Sequence, residues 1–260
     1  MEENYSKFAK VYTAGSYPEY SRFMAERLPD TLGRLNYRAK NILDLACGEG
    51  TFALEAEELG FKVTGVDKSE DMVEIAREKA SRNDSEANFL QGDMRELTLD
   101  AEKFDLVTSW FDSMNYLLTE FDFKQALETA HDHLRNDGFF VFDVNTIYGL
   151  REEWQREECY VQRDDSEVFE IHRTNYSQSR QIAELKITFF RSEGGKWERH
   201  EEVHKERGFE LGRIKELATD AGFEVRAMWD DLEEFAPPTE ESGRVWMALR
   251  KKNSSRDQTD

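Results

Sequence analysis

The chain has 260 residues, 38% of them hydrophobic and 35% charged, and a formal net charge of −20 from 55 acidic and 35 basic side chains. That length suits one large α/β domain with an insertion, or two modest domains. No run approaches the ~18 apolar residues of a membrane span, and the interspersed charges show no Lys/Arg cluster with aromatics, which weighs against direct nucleic-acid binding.

The opening "MEENYSKFAKVY" has no basic segment followed by an apolar one, so no secretory signal is read there and the expected location is cytoplasmic. The two cysteines, Cys47 and Cys159, are too few and too far apart for a disulfide framework or a metal site. Alternating strands and helices then fill roughly the first 145 residues. "NILDLA" (41–46) reads as a buried strand, followed by a helix from Thr51 to Leu59 that Gly60 ends. "KVTGVD" (62–67) is the second strand. Ser69 is placed to cap the next helix, with Glu70 and Asp71 at its positive end. "ANFLQGD" and "FDLVTSW" are strands three and four. Thr119 and Asp122 resemble a capping box for a helix ending near Leu134, and "GFFVFDV" (138–144) is strand five. This is a doubly wound α/β pattern.

After Val144 the period changes. Residues 158–206 hold four strand-like runs, with a hairpin turn at Gly194–Gly195 and one apolar face formed by Ala183, Leu185, Ile187 and Phe189. The expected organisation is a main α/β domain over 1–145 and 208–250, an inserted antiparallel β cap over 146–207, and a disordered tail over 251–260. "LGRIKELATDAGF" reads as a helix, and "EVRAMW" and "RVWMALR" as the last strands.

Strand one runs into "CGEG". A glycine turn between strand and helix lets a ligand lie on bare backbone at a helix N-terminus, with Gly48 and Gly50 as the approach points. Asp67 closes strand two, where a carboxylate can take ribose hydroxyls. Asp93 closes strand three, where one can accept from an exocyclic adenine amine. Each aspartate alone is an ordinary loop residue; together, on one edge of the sheet, they point to a nucleoside.

"LDLACGEG", "VTGVDKSEDMVEIAREKA", "LQGDMREL", "FDLVTSWFDSMNYL" and "HLRNDGFFVFDVN" resemble the successive motifs of class I S-adenosylmethionine-dependent methyltransferases, across about residues 40–145. The resemblance is strongest to a subgroup with a β-rich insertion after strand five, and "VHKERGFE" is similar to its His-x-x-x-Arg segment. It implies a seven-stranded Rossmann-like sheet, S-adenosyl-L-methionine as cofactor, S-adenosyl-L-homocysteine as product, and in-line methyl transfer to a small molecule. It further implies that Asp44, Ala46, Gly48 and Gly50 cradle the methionine and ribose side, and that Asp67, with Lys68 and Met72 beside it, holds the ribose. Asp93 and Met94 would meet the adenine, and Trp110 would line the pocket near the sulfonium. Ala46 departs from the first glycine of the family's G-x-G-x-G. The aromatic stretch from Tyr5 to Met24 would form a helical lid carrying Tyr12 and Tyr20.

Methyl transfer mainly requires positioning. Asp112 and Asn115 follow strand four and can orient a substrate. His204 and Arg207 end the cap and lead back to the pocket, where Arg207 could receive an anionic group. Each has an ordinary structural reading as well: a turn stabiliser for the first two, a surface ion pair for Arg207. His200, Glu202 and His204 share a strand face, but residues four apart on a strand lie about 13 Å apart, too far to share one metal. The remaining alternatives are an RNA or tRNA methyltransferase, an NAD-dependent oxidoreductase, and a non-catalytic regulator that binds the cofactor. A monomer or a homodimer is expected.

Overall fold

The computed structural model describes residue 5, residues 7–99 and residues 103–252. Eleven strands and six α-helices follow one another in these residues. Helix α1 (Ala9–Ala14) and helix α2 (Pro18–Arg34) lead into β1 (Asn41–Leu45), α3 (Thr51–Glu58), β2 (Lys62–Asp67), α4 (Glu70–Arg82), β3 (Asn88–Gln91) and β4 (Phe104–Ser109). Helix α5 (Glu120–His133) and β5 (Leu134–Asn145) close the first half. The second half holds β6 (Cys159–Asp164), β7 (Val168–Ser177), β8 (Ile182–Glu193), β9 (Lys196–Arg207), α6 (Leu211–Asp220), β10 (Phe223–Trp229) and β11 (Arg244–Lys251).

The main sheet has seven strands in the order β10-β11-β5-β4-β1-β2-β3. The pairs from β5 to β3 are parallel, while β11 runs antiparallel to both neighbours. Parallel pairing forces each connection across a face of the sheet, so the helices lie on both faces and the central strands are buried on both sides. All six residues of β4 are buried. One face packs Phe123, Phe140, Phe142 and Phe223 against α5 and α6. The other packs Met24, Leu28, Phe52, Phe89 and Leu106 under α2, α3 and α4.

The doubly wound seven-stranded sheet expected from the sequence is present, and so is the antiparallel β sheet. The helix caps are where sequence placed them: Ser69 Oγ accepts from the Met72 N–H at 3.3 Å and Thr119 Oγ1 from the Asp122 N–H at 3.0 Å. Several boundaries differ; strand β3 ends at Gln91, two residues before Asp93, and helix α6 ends at Asp220, three residues before the expected Phe223. Strand β5 begins at Leu134, four residues before the expected Gly138, because Phe104 of β4 pairs with Leu134 ahead of a register shift. Lys251, assigned to the tail, is the last residue of β11, where its Nζ donates to the His131 and Leu134 carbonyls at 2.7 and 2.8 Å. Residues 253–260 of the expected tail lie outside the described residues.

Strands β6 to β9 form a separate four-stranded antiparallel sheet in sequence order. Ala183, Ile187 and Phe189 are buried on its inner face with Leu185 half-buried, and helix α1 lies against that face through Phe8 and Val11. The Phe8 and Phe189 rings are 5.5 Å apart. Glu202 ties the segment down: its carboxylate accepts from the Tyr5 and Phe8 backbone N–H groups at 2.9 Å and from Lys7 at 3.1 Å. N-terminal segment and cap are therefore one packed unit.

Helix α3 starts on a buried charge. Glu49 is 2% exposed, ion-paired to Lys79 of α4 and bonded to Thr51 Oγ1 at 2.9 Å. Removing one partner strands the other charge in the core. Lys79→Ala is expected to lower unfolding free energy by about 3 kcal/mol, measured by urea titration; an unchanged midpoint would show that Glu49 needs no counter-charge.

Candidate active site

At the carboxyl end of β1 the chain turns through three left-handed residues: Ala46 at φ +58°, Gly48 at +55° and Gly50 at +83°. A Cβ on Gly50 would sit 2.8 Å from Phe89 Cζ and 2.9 Å from Ala76 Cβ, so packing beneath the helix demands that glycine. A Cβ on Gly48 would meet nothing within 4 Å, so the backbone there is bare on its outer side. Ala46 takes the left-handed conformation at a cost of about 1 kcal/mol. The Gly48 N–H donates to Asp67 Oδ2 at 2.8 Å, which links the turn to the end of β2.

Asp44 lies behind the turn, 2% exposed, and accepts from Thr108 Oγ1 at 2.7 Å. Burial pushes its carboxyl up to about 8, with the Asp67 charge adding to the shift. Asp67 Oδ1 accepts from the Ser69 N–H at 2.8 Å. Asp93 is more committed. Arg95 grips it through Nε at 2.9 Å and Nη2 at 2.6 Å, Lys68 Nζ lies 3.3 Å away, and these partners hold its carboxyl well below the usual range. Arg95 went unremarked in the sequence, although a cation two residues past a strand-end aspartate is the signal for it. Met72 is buried at the start of α4, and Met94 is half-buried against the core. Trp110 packs edge-on to Phe52 at 5.6 Å, and its buried Nε1 has no hydrogen-bond partner among the described residues.

The loop after β4 is built around a buried carboxylate. Phe111 and Asp112 are both left-handed, at φ +57° and +54°, an uncommon state for residues with side chains. Their N–H groups converge on Asp143 of β5, at 2.8 Å to Oδ1 and 2.9 Å to Oδ2. Arg244 of β11 completes the arrangement: it is ion-paired to Asp143, and both its terminal nitrogens lie 3.2 Å from Asp112 Oδ1. Asn145 Nδ2 bridges Asp112 Oδ2 and Glu206 Oε2, each at 2.8 Å. Burial raises both Asp143 and Glu206, and for Glu206 the Asp112 charge raises it further. Asn115 is structural in its contacts, its amide spanning the Asn145 and Arg207 carbonyls at 2.9 Å.

A cavity of about 540 Å³ opens between this loop, the N-terminal segment and the inner face of the cap. Tyr12, Asp112 and His204 line it; Arg207 and Asn115 do not. The Arg207 guanidinium donates to the Leu118 carbonyl at 3.0 Å and lies over the Phe209 ring at 4.7 Å, which turns it away from the cavity expected for it. His204 is 2% exposed; Nδ1 shares a proton with Tyr116 Oη at 3.0 Å, Tyr116 Oη meets Tyr5 Oη at 2.9 Å, and Nε2 lies 3.4 Å from Glu202. A second relay joins Tyr160, His172, Glu170 and Tyr17 through contacts of 2.5 to 3.0 Å. Sequence reading passed over Glu170 and His172, although "FEIHR" repeats the Glu-x-His spacing of "EEVHK" and period two puts both pairs on one face. Tyr20 stacks on Phe111 at 4.6 Å, and Arg244 lies over its ring at 5.1 Å. His200 is half-buried with its ring 5.1 Å from Phe189. Among the described residues no cluster of three His, Cys, Asp or Glu could hold a metal ion.

Residues 42–138 match the family profile described as "Methyltransferase domain". A methyltransferase-family protein of Geobacillus sp. is 34% identical over 252 residues, covering 95% of this chain and 99% of that one. A Bacillus subtilis relative of the same description is 30% identical over 253 residues, covering 95% and 97%. Among solved structures, an S-adenosylmethionine-dependent methyltransferase from Clostridium acetobutylicum superposes with a TM-score of 0.82 at 23% identity, over 96% of this chain and all of that one.

Two measurements check the electrostatics of the site. A carboxyl whose pKa is raised in the folded state contributes stability that is full below its unfolded pKa and is lost as pH rises through the folded value. For Asp44 that window runs from the ordinary 3.8 up to about 8. Between pH ~5 and ~8 the wild type should lose at least about 1 kcal/mol relative to Asp44→Asn, followed by thermal melts; parallel pH profiles would refute a buried neutral Asp44. Arg244→Met leaves Asp112, Asp143 and Glu206 without their cation, and should cost about 3 kcal/mol or more at neutral pH and less in acid.

Proposed function

The chain belongs to the class I S-adenosylmethionine-dependent methyltransferases, and we propose that it methylates a small molecule held in the cavity beneath the β cap. The observation that carries this reading is the position of that cavity. Its floor, Phe111–Asp112, is the loop just past β4, at the same carboxyl edge of the sheet where the Gly48 turn opens. Ligands of doubly wound sheets bind at that edge.

The residues at the turn fit the cofactor. Bare backbone at Gly48, the buried carboxyl of Asp44 and the Asp67 carboxylate suit a ligand that carries hydroxyls and positive charge. Asp67 would hold the ribose, Asp93 and Met94 the adenine end with Lys68 and Met72 alongside, and Trp110, with its unpartnered Nε1, the methionine end. Bound there, S-adenosylmethionine supplies a methyl group already activated by positive sulfur. The chain contributes orientation and exclusion of water, worth ~7 kcal/mol or more. His204, bonded to Tyr116 through Nδ1 and with Glu202 3.4 Å from Nε2, is the imidazole placed at the cavity wall to meet a proton released there. Net charge −20 and a carboxylate-bearing floor repel a polyanion, so an RNA acceptor is disfavoured. The free thiols Cys47 and Cys159 suit a reducing compartment such as the cytoplasm.

Calorimetry with S-adenosylhomocysteine tests the cofactor assignment. Asp67→Asn should weaken binding about tenfold or more, with the melting midpoint recorded alongside. Wild-type affinity in that variant would reject Asp67 as a cofactor ligand.

A further inference from the structure

The cavity walls carry a second message, in their chemistry rather than their position. Its sides are aromatic: Tyr5, Tyr12, Tyr17, Tyr116, Trp154 and Tyr160 all line it. Its polar floor is Asp112 and Glu206, which are 6% and 2% exposed and are held on the single Asn145 amide nitrogen at 2.8 Å each. Aromatic faces attract a cation through their negative quadrupole, and buried carboxylates attract it more strongly.

We infer that the methyl acceptor is an amine, entering as its ammonium and held between the aromatic walls and the Asp112–Glu206 carboxyl pair; a carboxylate of that pair would take one N–H proton, which frees the nitrogen lone pair to form the C–N bond as the C–S bond breaks and S-adenosylhomocysteine leaves. The inference rests on the methyltransferase reading of this cavity. A count of the charges supports it. The floor and the layer beneath it hold three buried carboxyl groups, on Asp112, Asp143 and Glu206, facing the single guanidinium of Arg244. That guanidinium is already shared between Asp112 and Asp143, so it does not offer a free fork to an anionic ligand. The other lining arginine, Arg156, is 71% exposed, pairs with Glu153 at 3.7 Å and has Glu157 beside it on the wall. The inner pairs His204–Glu202 and His172–Glu170 each bring a buried carboxylate of their own. Burial and the adjacent Asp112 push Glu206 well above the usual carboxyl range, which favours a proton held between the two carboxyls, and an arriving ammonium can take the place of that proton. An alcohol or a carboxylate brings no positive charge to replace it.

The test uses the full chain loaded with S-adenosylhomocysteine and a panel of alkyl- and arylamines, each matched to the alcohol and the carboxylate of the same skeleton, read by calorimetry. Amines should bind about tenfold or more tighter than their matched alcohols and carboxylates, and the preference should collapse in Glu206→Gln and Asp112→Asn while S-adenosylhomocysteine affinity is kept. Should Asp112→Asn fail to fold, Glu206→Gln carries the comparison alone, since a glutamine still accepts from Asn145. Carboxylates or alcohols binding as well as amines, no amine bound at millimolar concentration, or an amine preference untouched by Glu206→Gln would each overturn the inference. Failure to bind S-adenosylhomocysteine is a separate result, and it would sink the reading of the cofactor site and this inference with it.

Discussion

A single half-buried guanidinium organises this end of the fold. Arg244 stands at the first position of β11, paired across the sheet with Asn145 of β5, and reaches Asp112 and Asp143. Asp143 in turn accepts the two N–H groups that keep Phe111 and Asp112 left-handed. A buried carboxylate without its cation would cost several kcal/mol, and two left-handed side-chain residues add of order 1 kcal/mol each. The ion pair and the paired N–H groups offset both costs, so the strained loop persists and presents the Phe111 ring and the Asp112 carboxylate to the cavity.

The same cluster joins the two sheets. Asn145 links Asp112 to Glu206 on the last cap strand, and the Asn115 amide reaches the Arg207 carbonyl on that strand. The cap is thus fastened to the carboxyl edge of the main sheet through buried polar bonds, while its inner apolar face is closed by α1 and by Glu202, which takes three N–H groups of the N-terminal segment. Networks of this kind are stable only when nearly every member is satisfied. Their satisfaction here gives the cavity fixed walls, which is what a reaction that depends on alignment requires.

The turn after β1 follows a different logic. There, backbone conformation decides: Gly50 is required by the close approach of Phe89 and Ala76, Gly48 leaves open backbone, and the Asp67 carboxylate holds the turn in place from the next strand. Asp93 is locked in a fork with Arg95, so an adenine amine would share that carboxylate with the arginine rather than have it alone.

Local rules made much of this readable from the amino-acid order. Period two and period 3.6 separate strands from helices, Ser69 and Thr119 announce helix starts, Gly194–Gly195 announces a hairpin, and the glycine turn announces the end of β1, because each of these signals acts over a few residues. Side-chain partnerships across the chain were not readable. Arg207 looked like the cavity's cation, yet it donates to the Leu118 carbonyl and lies over the Phe209 ring. Arg244, which holds the floor, sits 101 residues from Asp143. His172 and Glu170 join His204 and Glu202 only when β7 and β9 turn one face inward with β8 between them. Those choices depend on strand register and on where a buried charge finds its partner, and only the tertiary structure decides them.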